Sequence, residues 1–174
     1  MRASIQWLRE LTGLELNIDE LAEKLTNIGL EVDGIERFEA PANVVVGEVR
    51  ARSKHPDKDR LSIVTVFDGS EEVTVICGAP NVPEPGGHIL FAQVGASLPR
   101  EDGSTMDIGE RKIAGVVSRG MICSETELRI GTGSAGIFVF EDEPKLAVPK
   151  AGTPLAEALP VGDVVFEVGL TPHR

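Results

Sequence analysis

The sequence predicts an α+β fold, a five-stranded β-barrel inserted in a small split α/β domain that the two ends of the chain form together. Three observations lead to it. Apolar residues recur at helical spacing up to about residue 30 and at strand spacing from 44 onward, with a break at Ala40-Pro41-Ala42-Asn43. Between 44 and 123, five strand-like runs are separated by turn chemistry such as Asp68-Gly69-Ser70 and GAPNVPEPGG, a number that suits a small closed barrel. The first 39 residues offer only two short helices and one strand, too little to enclose a core, so they need the helix and strand that reappear after Pro149. The expected parts are residues 1–39, the barrel at 40–150, and a return segment at 151–174.

The elements follow in order. Ser4 is a good N-cap for a first helix with Ile5, Leu8 and Leu11 on one stripe and a stop at Gly13. Asn17 and Glu20 have capping-box spacing for a second helix, with Leu21, Leu25 and Ile28 as its buried face and Gly29 at its left-handed end. A strand is expected at 30–36. The barrel strands are expected at 44–53, 61–67, 73–77, 88–94 and 116–123, with polar loops around Glu101 to Thr105 and from Gly131 to Gly136. A further strand is expected at 137–140. TPLAEAL reads as a short helix capped by Thr153 with Pro154 in its first turn, and DVVFEV as the last strand.

Bulk properties bound the function. Apolar residues are 41% and charged residues 26% of 174, the balance of an ordinary globular chain that can bury a core. No run approaches the roughly 18 apolar residues that cross a bilayer, and Arg2, Gln6, Arg9 and Glu10 leave no room for a secretion signal. A cytoplasmic setting is expected, with no membrane partner. Cys77 and Cys123 lie far apart in apolar runs, which reads as buried reduced thiols, without a disulfide or metal site. The net charge of −11 opposes nucleic acid at long range, but base is concentrated locally: Arg50, Arg52, Lys54, Lys58 and Arg60 face only Asp57 and Asp59 within 50–60. Arg111, Lys112 and Arg119 form a second, looser group. There is no Tyr, and the barrel phenylalanines sit in apolar runs, so stacking on single-stranded bases is not expected.

Two runs depart from a packing pattern, HPDKDRL at 55–61 and KIAGVVSRGMICSETEL at 112–128. Pro56 fixes the backbone and drives His55 out of helical geometry, and the pair can be a turn that satisfies its own backbone groups. Gly115 and Gly120 mark places where a strand bends or another backbone comes close. Ser118 and Ser124 can bond backbone at the rim or reach a ligand, Glu125 can cap or pair with an arginine, and Met121 alternates sides with Ile122. For the glycines, Met121 and Cys123 a structural role is expected. No phosphate loop, zinc helix, CxxC pair or nucleophile elbow occurs, so catalytic and metal residues are expected to be absent.

The two runs resemble the HPxADxL turn and the GxxSxGM strand of the oligonucleotide-binding (OB) fold that recurs in tRNA-binding proteins. With MRASIQWLREL at the start, NIGLEV at 27–32, ICGAPN at 76–81 and DVVFEVGLTPHR at the end, the whole chain is similar, in order, to the bacterial phenylalanyl-tRNA synthetase beta subunit family. That family often has alanine where Lys58 stands and arginine where Ala114 stands.

The resemblance implies an accessory tRNA-binding and architectural segment without activity of its own. The parent enzyme attaches phenylalanine to its tRNA with ATP and Mg2+, and two alpha subunits join two beta subunits. No cofactor is implied for this segment, nor DNA as a partner, and the chain is expected to continue into further domains. The residues expected at the tRNA are Arg50, Arg52, Lys54, Lys58, Arg60, Lys112 and Arg119, held by a motif frame of His55, Pro56, Gly115, Ser118, Gly120, Met121, Ser124 and Glu125. Contact would rest on phosphate charge and the shape of a folded RNA. The rivals are a free-standing tRNA-binding or chaperone protein with the same barrel, and an interaction module that touches only protein.

Overall fold

Ser4 closes the first strand, β1 (Arg2–Ser4), and opens the first helix, α1 (Ile5–Thr12), because its hydroxyl accepts the Trp7 N–H that the first turn leaves unpaired. Gly13, at φ 67°, ends the helix in the left-handed conformation. In α2 (Ile18–Asn27), Asn17 Oδ1 accepts from Glu20 N, and beyond Gly29 the Leu30 N–H returns to Leu25 O, closing the last turn. Ile5 and Leu21 are buried, but Leu11 is 66% and Ile28 62% exposed, against the expected stripes. At about 100° per residue, two steps of three carry Leu11 roughly 120° round from Ile5, off the buried face. Ile28 lies beyond the last helical residue. The strand that follows is β2 (Val32–Phe38).

The computed structural model describes residues 1–100, 102–133, 135–159 and 161–169, so the TPHR end lies outside the described residues. The chain forms two compact units, Met1–Glu39 with Val161–Arg174, and Ala40–Pro160.

The second unit begins with four strands where the apolar runs predict them, β3 (Val44–His55), β4 (Lys58–Phe67), β5 (Glu72–Cys77) and β6 (His88–Ala92). Three short strands with no clear alternation follow, β7 (Ser97–Pro99), β8 (Thr105–Asp107) and β9 (Glu110–Ile113). The single strand expected at 116–123 is broken at Gly120 into β10 (Val116–Arg119) and β11 (Met121–Ile122), which belong to different sheets. β9 and β10 form a two-stranded ribbon, and β7 and β8 another. The five-stranded sheet has the order β11-β6-β3-β4-β5, antiparallel throughout, with β11 and β5 as its edges. Its backbone ladder is open, although β10 and β11 both pack beside β5. Val45, Val49, Val64, Val66, Val75, Ile89 and Phe91 fill its core.

The chain then turns through α3 (Glu125–Leu128). The strand expected at 137–140 supplies only a bridge from Val139 to Ile89 before a 3-10 turn at Phe140–Asp142. The helix α4 (Leu155–Ala158) is capped at Pro154, one residue later than expected. It stands in the second unit, while the sequence suggested the return segment, because Val46 N donates to Thr153 O and Gly152 N to Val46 O. The return proper is β12 (Asp163–Val168), the central strand of a three-stranded sheet ordered β1-β12-β2 in the first unit. Its Phe166 and Val168 pack with Ile5 and Leu21, the core that β1, α1, α2 and β2 lack by themselves.

Candidate nucleic-acid interface

β3 and β4 meet in a two-residue turn, Pro56-Asp57, with His55 opposite Lys58. Proline holds φ near −65°, so this is not the mirror-image turn whose twist matches a hairpin. The pairing register shifts between Lys54 and His55 as a result. His55 is only 3% exposed. The Asp57 N–H lies 3.1 Å from its Nδ1, and a backbone N–H can only donate, so Nδ1 is the acceptor and Nε2 bears the hydrogen. Nε2 donates to the carbonyl oxygen of Ala114, 3.0 Å away.

Ala114 and Gly115 are the turn of the β9–β10 ribbon, with φ of 47° and 90° at a position flanked by the pair Ile113 and Val116. Both values belong to the primed hairpin turn, which suits glycine and strains alanine. Two hairpin tips that are 59 residues apart in sequence are thereby joined by one imidazole. Lys54, Lys58 and Arg60 are exposed on the first hairpin and Lys112 on the second. Among the described residues, none of these four has a carboxylate within 4.0 Å.

The other three expected cations carry counter-ions of their own. Arg50 pairs with Glu48 at 2.8 Å and Glu72 at 4.0 Å and lies over the Phe67 ring, 4.9 Å from its centroid. Arg52 Nη1 donates to Val82 O at 2.5 Å and reaches Glu84 at 3.4 Å. Arg119 pairs with Glu71 at 3.3 Å and Glu110 at 3.7 Å, at the end of β10 away from the Ala114-Gly115 turn. The structure thus separates an unpaired group at the joined tips from three arginines engaged by the chain's own acids. Sequence alone gives no sign of that division, because every partner except Glu48 and Glu110, which faces Arg119 across the β9–β10 ribbon, is remote.

The motif residues build the frame. Ser118 is 2% exposed, and its hydroxyl accepts the Ile76 N–H at 3.1 Å, a side-chain link between β10 and β5. Gly120 has φ 96°, and a Cβ there would stand 2.4 Å from Phe91 Cζ and 2.6 Å from Ala92 O. Met121 is half-buried opposite Ala92 in β11. Ser124 caps α3 in a full capping box with Glu127, a pairing the sequence reading missed although S-x-x-E was legible at 124–127. Glu125 accepts from Gly133 N at 2.9 Å and, among the described residues, pairs with no arginine. Asn81 was another residue missed: its amide donates to Ile137 O and accepts from Ile137 N, fastening the ICGAPN turn to the segment before the 3-10 turn.

Burial pushes the Cys77 thiol up and Cys123 to about 12, with Glu127 adding to both, so both stay protonated and inert. Burial would raise Asp68 too, but hydrogen bonds from Glu71 N, Ser70 N, the Gln93 amide and the Ser70 hydroxyl outweigh it and hold the carboxyl at about 2. That carboxylate ties the β4–β5 turn together. Among the described residues, no group of three or more His, Cys, Asp or Glu could hold a metal ion, and no helix is long and apolar enough to cross a membrane.

Residues 44–149 match the protein family described as "Putative tRNA binding domain". Over its whole length the chain is 43% identical to the phenylalanine–tRNA ligase beta subunit of Synechococcus sp. (strain CC9902) and 38% identical to that of Syntrophus aciditrophicus (strain SB). It covers 21% of the first and 20% of the second, so the chain spans about a fifth of the length of the curated relatives it matches.

Proposed function

Because the chain belongs to the tRNA-binding domain family, we propose that it is the accessory tRNA-contacting and architectural segment of a phenylalanine–tRNA ligase beta subunit. In this reading the complete ligase joins phenylalanine to its tRNA with ATP and Mg2+ in the cytoplasm, as an assembly of two alpha and two beta subunits. Catalysis and its cofactors belong elsewhere in that assembly. The observation that carries the reading is the placing of Lys54, Lys58, Arg60 and Lys112, without a carboxylate partner among the described residues, at two joined hairpin tips on a chain whose net charge is −11. Cations without internal counter-ions are those able to release the counter-ions of a phosphate backbone. Arg50, Arg52 and Arg119 would join them only where phosphate displaces their own carboxylates.

The five-stranded sheet is read as an OB barrel. The support is that its edge β5 receives β10 and β11, and that the Ser118 hydroxyl occupies the seam where a ladder bond would close it. The acidic body implies modest affinity.

The experiment is a salt titration of tRNA binding. Lys58→Ala with Arg60→Ala is expected to lower the magnitude of the log–log salt slope by about two, roughly one for each phosphate that is no longer neutralised. An unchanged slope sinks the placement of the RNA face. A segment that contacts only protein is favoured by Trp7 and Leu11, 60% and 66% exposed on α1. That reading gains if no tRNA binds even at low salt.

A further inference from the structure

We propose that His55 is a positioning residue for RNA: its Nε2–H bond to Ala114 O fixes the tip of the β9–β10 ribbon beside the β3–β4 turn, so that Lys112 and Lys58 meet the phosphate backbone as one site. This rests on the tRNA-contacting reading. The ribbon is not part of the five-stranded sheet, and two isolated strands are marginal in water. At its far end it is secured to the β5 side, by Ser118 on Ile76 N and by Arg119 on Glu71. At its tip, the bond from His55 is the attachment to β3 and β4 that the described residues display.

The imidazole suits this task because its two nitrogens do different work. Nδ1 accepts the Asp57 N–H within the Pro56-Asp57 turn, which forces the hydrogen onto Nε2, where it can serve the other hairpin. Burial of the ring keeps water from competing for either bond. Ala114 presents its carbonyl from a left-handed turn that alanine disfavours, so the tip is held in a conformation its own sequence does not strongly prefer.

The two nitrogens can be removed separately. In His55→Asn the amide oxygen stands where Nδ1 stood and keeps the local turn, but the side chain is too short for Ala114. In His55→Gln the amide nitrogen stands where Nε2 stood and keeps the bond between hairpins. The expected result is that His55→Asn weakens tRNA binding about three- to tenfold and flattens the salt slope by about one, as Lys112→Ala does, while His55→Gln stays within about twofold of the parent. His55→Asn added to Lys112→Ala should cost nothing more, since the displaced lysine is already gone.

Equal effects of Asn and Gln, or additivity with Lys112→Ala, would overturn the clasp while leaving the RNA reading intact. If Lys58→Ala and Lys112→Ala are themselves silent, it is the RNA reading that fails. Nitrogen-15 spectra of the unaltered chain serve should both His55 variants unfold: the clasp requires a proton on Nε2 and none on Nδ1 at neutral pH, and the opposite tautomer overturns it.

Discussion

The backbone of Gly120 runs against the edge of the Phe91 ring so closely that a methyl group at Gly120 would lie 2.4 Å from Phe91 Cζ. Phe91 is 1% exposed and packed in the core of the five-stranded sheet, so the ring has nowhere to go. Gly120→Ala is therefore expected to destabilise the second unit by about 3 kcal/mol, from the overlap and from a φ of 96° that a Cβ resists. Thermal unfolding followed by circular dichroism checks this, and a variant as stable as the parent would show that β11 can shift away.

Ser118 predicts a smaller loss with a local signature. Ser118→Ala leaves the Ile76 N–H without its acceptor at a half-buried position, at a cost of about 1–3 kcal/mol. Ser118→Thr keeps the oxygen and should retain more of the stability than alanine does. Amide hydrogen exchange at Ile76 is the specific readout: it should accelerate in the alanine variant more than at Val75, whose N–H belongs to the strand interior.

Ala114 predicts a gain. Alanine in the left-handed region at φ 47° costs about 1 kcal/mol against a residue that tolerates it. Ala114→Asn and Ala114→Gly keep the carbonyl that His55 uses and should raise stability by about 0.5–1 kcal/mol, read as a higher urea midpoint. A drop in the midpoint would mean that the packing of the Ala114 methyl outweighs the strain.

Acid should act through Asp68. A carboxyl held at about 2 in the folded chain, against 3.8 when free, stabilises the fold fully above pH 3.8 and loses that contribution as the pH falls toward 2. The contribution is about 2 kcal/mol by linkage. Glu141, hydrogen-bonded by His88, and Asp163, bonded by Ser4 and the Gln6 N–H, are likewise held below their ordinary values despite burial, and act in the same direction. Urea midpoints measured from pH 5 to pH 2 should fall, and Asp68→Asn should fall less steeply from a lower starting value.

The legible parts of the chain were those whose cause is local. Ser4, Gly13, Asn17 and Gly29 mark helix ends because each satisfies or terminates a backbone within four residues of itself. The apolar runs of β3, β4, β5 and β6 are visible for the same reason. β9 was not legible: all four of its residues are exposed, so no alternation betrays it. The break at Gly120 was foreseen as a bend, but its depth depends on Phe91, which lies in another strand.

The candidate site divides in the same way. The basic residues were countable, but which of them are free was not, because the acids that engage Arg52 and Arg119 are set by folding. His55 was visible as part of a turn, which it is. Its second bond crosses to a residue that sequence could assign only to a strand–turn neighbourhood far downstream.

β12 sits between β1 and β2, yet it is made last of the three. A ribosome adding roughly 5–20 residues each second must therefore complete the whole of the second unit before the first can have a sheet. The helices α1 and α2 spend those seconds without Phe166 and Val168, the residues their apolar faces pack against. A chain halted before Asp163 would carry a finished second unit behind an unfinished leading end.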